Sequence, residues 1–159
     1  MLSAAERQEL IEKMRQLPDQ IEAAVRGLND AQLDTPYGPG KWTVRQVAHH
    51  LADSHMNAII RMKLVLAEDN PTLKPYNQDD WARFEDAAKL PVAPSLSIIR
   101  GVHERMVHML RQAPESAFRR TAHHPEHGTI TLDDLVGIYG RHGEKHCGQI
   151  TGLRSARGW

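Results

Sequence analysis

The chain has 159 residues, enough for a single domain whose core needs no covalent staples. Lys and Arg balance Asp and Glu at 20 each, which excludes a net field drawing the protein to nucleic acid or an anionic membrane. A lone cysteine, Cys147, excludes an intrachain disulfide framework, and no apolar run approaches the length of a membrane span. The opening "MLSAAERQEL" lacks the long apolar region of a signal peptide, so a soluble cytoplasmic protein is expected.

Periodicity of 3.6 residues predicts four helices and no alternating strand pattern. The first spans about 4–28, with Leu10, Met14, Leu17, Ile21, Val25 and Leu28 on one stripe and Pro18 placed to kink or divide it. The turn formers of "NDAQLDTPYGPGKW" then lead to Thr43, an N-cap for a second helix over about 43–68. Val44, Val47, Leu51, Ala58, Met62 and Val65 share one face of it. A long connection follows, with a short helix expected around Asp79–Ala88. In a compact domain a connection of this length serves as a lid, a site wall or a crossover. The third helix, 95–113, turns Leu96, Ile99, Met106 and Leu110 inward and stops at Pro114. The fourth runs over about 132–153, opened by Thr131 and Asp134 in a capping box. Four amphipathic helices with short first and last connections and a long middle one make an all-α four-helix bundle, with a crossover between helices 2 and 3, in one domain over 1–159.

Ten histidines are the compositional oddity. In "YGRHGEKHCGQI", His142 and His146 stand four apart, about 40° from each other on one helix face. That face also carries Leu135, Ile138, Tyr139, Gln149 and Leu153, so the pair points into the bundle. Buried imidazoles need partners for both ring nitrogens, and a shared metal ion would satisfy one on each. The alternative is a pair of hydrogen-bonded core histidines. Residue 143 is Gly, so HExxH with its built-in glutamate base is absent. Cys147, about 100° round from His146, is expected to pack as a small apolar residue.

A catalytic ion takes three protein ligands and keeps a position open. The second helix offers "HHLADSH". Measured from Leu51, His55 lies about 40° off the centre of the apolar face, His50 about 100° to one side, and His49 points outward. Periodicity therefore chooses His55, while His50 heads a polar strip with Ser54, Asn57 and Arg61 that spacing allows equally as the wall of a pocket or as an ordinary solvated flank. His103 faces inward on the third helix and is a further candidate, so geometry alone leaves the third ligand open.

"GKWTVRQVAHHLADSHMNAIIRMKLVL", "KPYNQDDWA" and "HPEHGTITLDDLVGIYGRHGEKHCGQI" together resemble the DinB superfamily, and within it the YfiT-like metal-dependent hydrolases, over nearly the whole chain. The resemblance implies a four-helix bundle, often a homodimer, with one divalent metal ion per chain on three histidines. Carried over residue by residue, these are His50, His142 and His146, which sets His50 above His55 against simple periodicity. Glu144, Lys145 and Gln149 depart from the His-rich run of the resembled proteins.

Three nitrogen ligands suit zinc or nickel, and such an ion lowers the pKa of bound water or polarises a substrate atom. The expected function is hydrolysis of a small molecule. The alternatives are a metal-dependent thiol S-transferase of bacillithiol or mycothiol type, with Arg61 holding the thiol's carboxylate, and a non-catalytic metal-binding stress protein. Asp53 and Glu144 point away by helical angle, leaving the general base unassigned. Asp79 and Asp80 in the long connection, with His123, His124, Glu126 and His127 in the "HHPEHG" loop, could close over a metal, but each reads first as part of a plain surface loop. Basic residues do not alternate with aromatics, so no nucleic-acid partner is expected.

Overall fold

The structure, a computed structural model, describes residues 1–159. Its long helices are α1 (Ala4–Val25), α3 (Val44–Ala67), α6 (Ala93–Gln112) and α7 (Leu132–Arg157). Between them lie the short helices α2 (Asp30–Leu33), α4 (Gln78–Trp81) and α5 (Glu85–Lys89), a 3₁₀ turn at Glu115–Arg119, and strands β1 (Thr121–His124) and β2 (Gly128–Thr131). Thr43 and Thr131 cap α3 and α7 in reciprocal boxes with Gln46 and Asp134, and Ser3 with Glu6 does the same for α1. Pro18 does not divide α1, which runs through it. The expected short helix at Asp79–Ala88 is two, α4 and α5. No helix is long and apolar enough to cross a membrane.

Helix α1 packs on α6 and α7, and α3 packs on the same two, so α1–α3 and α6–α7 are the diagonal pairs of the bundle. The long middle connection joins the neighbours α3 and α6. The first and last connections carry the chain across the diagonals.

One expectation fails: there are strands. β1 and β2 form an antiparallel hairpin in register Thr121↔Thr131 to His124↔Gly128, turning through Gly128 at φ +71°. His123 N–H donates to Pro71 O at 2.9 Å and Leu73 N–H to His123 O at 2.8 Å, pinning the hairpin to the long connection. Four-residue strands are too short for alternation to stand out in a sequence, and this hairpin's partner is a distant loop.

The core divides into two apolar clusters. One includes Leu10, Met14, Ala58, Met62, Met106 and Leu135. The other includes Leu17, Val47, Leu51, Ile99, Cys147 and Ile150. On every long helix except α1 the residues between the two clusters include histidine: His55 on α3, His103 on α6, and His142 and His146 on α7. The bundle therefore carries an imidazole layer across its middle.

Candidate metal centre

His50 comes from α3, and His142 and His146 from consecutive turns of α7. One nitrogen of each lies within 4.8 Å of the other two. His142 Nε2 stands 3.1 Å from His146 Nε2 and 3.4 Å from His50 Nε2. Nitrogens held 2.0–2.1 Å from a tetrahedral ion lie about 3.3–3.4 Å from one another, so these spacings fit a shared cation. Burial, reinforced by the neighbouring imidazoles, pushes the pKa of His50 and of His142 down to about 3. Burial also lowers that of His146. All three are neutral at pH 7, the protonation state that can ligate a metal. His146 Nδ1 donates to Gln149 Oε1 at 2.8 Å, which leaves its Nε2 with a lone pair facing the cluster. Gln149, where the sequence departs from a His-rich run, thus orients one of the three.

His55 is wholly buried behind this cluster, its Nε2 3.2 Å from His142 Nδ1. His103 lies one step further in, 2.8 Å from His55 Nδ1. Neither shares the cluster of three. His49, expected to point outward, is buried: Ser95 Oγ lies 2.7 Å from its Nδ1 and Leu90 O 3.0 Å from its Nε2. The end of the long connection covers that side of α3, so its second face is also interior.

Trp42, which the sequence reading passed over, walls the cluster. Its ring centroid is 4.6 Å from that of His50 and 6.3 Å from that of His146, nearly parallel to the latter at 11°. Asp79 Oδ1 accepts from Trp42 Nε1 at 3.1 Å, so α4 holds the indole in place. Asp80 instead pairs with Arg83.

A cavity of about 590 Å³ opens beside His142. Ser54, Arg61, Tyr76 and Tyr139 line it together with His124, Glu126 and His127 of the hairpin. Ile138 also lines it and is half-exposed, not interior as its helical angle predicts. Arg61 is held from two sides, donating to Tyr139 Oη at 3.0 Å and to Lys74 O at 2.8 Å. Asn57 is not part of this lining and donates to Asp53 O at 2.9 Å. Glu144 is exposed and pairs with Lys13. Asp53, expected to point away, is half-buried, and burial with the nearby Asp86 pushes its pKa up to about 6. Cys147 packs in the core, where burial pushes its thiol up to about 12.

Comparison with known proteins places this geometry in context. A relative in Oceanobacillus iheyensis is 46% identical over 151 residues, covering 95% of this chain and 87% of its own length. One in Geobacillus kaustophilus is 46% identical over 158 residues, covering 98% and 88%. Each bears the name "Putative metal-dependent hydrolase". The solved structure of YfiT from Bacillus subtilis, described as "a probable metal-dependent hydrolase with an unusual four-helix bundle topology", superposes with a TM-score of 0.97 at 38% identity, over 100% of this chain and 91% of that one. The family model of the DinB superfamily matches residues 13–150, and with relatives this similar along almost the whole chain, the protein belongs to the DinB superfamily.

Proposed function

We propose that this protein is a metal-dependent hydrolase of a small molecule, with one divalent cation, zinc or nickel, held by Nε2 of His50, His142 and His146. The observation that carries this reading is the convergence of three neutral imidazole nitrogens at 3.1 and 3.4 Å, a spacing suited to a common ion. When bound, such an ion acts as a Lewis acid that activates water and polarises a substrate oxygen. The chain's own groups do the rest. Gln149 orients His146, and Trp42 screens the cluster on one side. Arg61, fixed by Tyr139 and the Lys74 carbonyl, sets a cationic charge on the wall of the adjoining cavity. An anionic group on the substrate is therefore favoured there.

Elemental analysis of untagged protein tests the site. The parent is expected to carry one equivalent of metal per chain, His50→Ala and His142→Ala to lose it, and the exposed His123→Ala to retain it. Metal-free parent protein that cannot be loaded would end the reading. A panel of esters and amides, with and without a low-molecular-weight thiol, then tests the reaction. Turnover that requires the thiol would replace hydrolysis with thiol transfer.

A further inference from the structure

The buried histidines behind the cluster form a line that ends on a backbone carbonyl. His103 Nδ1 is 2.6 Å from Met14 O, His103 Nε2 is 2.8 Å from His55 Nδ1, and His55 Nε2 is 3.2 Å from His142 Nδ1. The carbonyl is available because of Pro18. In an α-helix Met14 O would accept from the N–H of residue 18, and proline has none. A carbonyl only accepts, so His103 Nδ1 must carry a proton. His55 and His103 are 0% and 1% exposed, and their ring nitrogens meet only the groups just named, so both rings are neutral.

Each neutral ring has one donor and one acceptor, so the polarity set at Met14 propagates. His103 Nε2 is then an acceptor, and His55 Nδ1 donates to it. His55 Nε2 is an acceptor in turn, and His142 Nδ1 donates to it. We infer that Met14 O, His103 and His55 form a positioning relay that locks His142 in the Nδ1–H tautomer, so that His142 Nε2 presents its lone pair to the cation.

This inference rests on the metal reading above and deepens it. With His142 Nε2 bare and His146 Nε2 bare, two lone pairs face each other at 3.1 Å while the relay holds, and the one other ring nitrogen beside them, His50 Nε2, stands 3.4 Å from His142 Nε2, where its proton would serve only one of the two. A cation satisfies both. Reversing the relay would supply a proton between them, but it would turn a bare His103 Nδ1 toward Met14 O at 2.6 Å, in a place water does not reach. The buried end therefore sets the direction. His55 and His103 touch neither substrate nor ion, and they act through His142.

Two measurements decide it. Long-range proton–nitrogen NMR correlation of ring-labelled histidine in the metal-free parent is expected to show His103, His55 and His142 each protonated at Nδ1 and bare at Nε2. Zinc affinity, measured by competition with a chromophoric chelator, is expected to fall about 10- to 100-fold in His103→Leu, which removes the acceptor for His55. It should return to within a few-fold of the parent in His103→Gln, whose amide offers a donor for Met14 O and an acceptor for His55. A His142 protonated at Nε2 in the parent would overturn the relay, whatever the variants do. So would a folded His103→Leu protein that binds zinc like the parent, or a folded His103→Gln protein no better than His103→Leu. Failure of the metal reading is distinguishable: the parent would then take up no zinc although the tautomers stand as expected.

Discussion

Asp53 lies three residues from His50 and half-buried, with a pKa raised from its ordinary 3.8 to about 6 by burial and the Asp86 carboxylate. The folded state holds this proton more tightly than the unfolded chain does, so the group's contribution to stability is full below pH 4 and is lost as pH rises through 6. Asp53→Asn is therefore expected to stabilise the protein at pH 8 by about 1 kcal/mol, allowing for solvent screening, and to do little at pH 4. Urea denaturation at the two pH values checks it, and equal midpoints for parent and variant at pH 8 would remove the argument. Helical angle placed this side chain in solvent because it counts only one apolar face, whereas α3 also packs beneath α5. The same second contact buries His49. His50 and His55 show the complementary case. His55 is nearest the centre of the apolar face and so is wholly buried behind the cluster, while the flank position of His50 puts it in the cluster with His142 and His146.

At the scale of the element, the contact between α1 and α7 depends on two glycines. A Cβ on Gly140 would lie 2.8 Å from Leu10 Cβ and 3.2 Å from Leu10 O, and one on Gly143 would lie 2.9 Å from Leu17 Cγ. That contact explains why the HxxxH motif has no glutamate at its second position: Leu17 of α1 fills the space. Gly140→Ala is expected to destabilise the protein by about 1–3 kcal/mol through overpacking, despite the helix propensity alanine adds. Gly152→Ala, on the exposed side of the same helix with nothing within 4 Å, should stabilise it by about 0.5–1 kcal/mol. Thermal melts of the two variants separate packing from propensity, and a Gly140→Ala protein that melts at or above the parent would contradict the close approach.

Across the whole molecule, the imidazole layer between two apolar cores makes the metal-free protein sensitive to acid. Burial holds His50 and His142 at about 3 and His103 at about 4, His55 well below its ordinary 6.5, and His146 lowered. Between those values and 6.5 the unfolded chain binds more protons than the folded one, so stability falls as pH falls through this window. About one pH unit above 6.5 these groups are essentially neutral in both states and add little pH dependence. Five such histidines outweigh the opposite trend of Asp53. The urea midpoint of metal-free protein should hold between pH 8 and 7 and drop steeply from pH 6.5 to 5. A flat profile over that lower range would mean the layer is hydrated.

The helices, their caps and the HxxxH pair were legible from residue order, because 3.6-residue periodicity, side-chain capping and i, i+4 adjacency are local properties of the chain. The family resemblance rested on the same short stretches. Local order could not show which histidine of α3 joins His142 and His146, since that depends on how α3 meets α7. Nor could it show the hairpin bound to the long connection, or the Trp42 wall held by Asp79. The line from Met14 O through His103 and His55 is the clearest case. Pro18 reads in the sequence only as a kink or break, whereas in the fold it leaves the Met14 carbonyl without a helical partner and the packing of α6 and α3 decides which side chain that carbonyl meets.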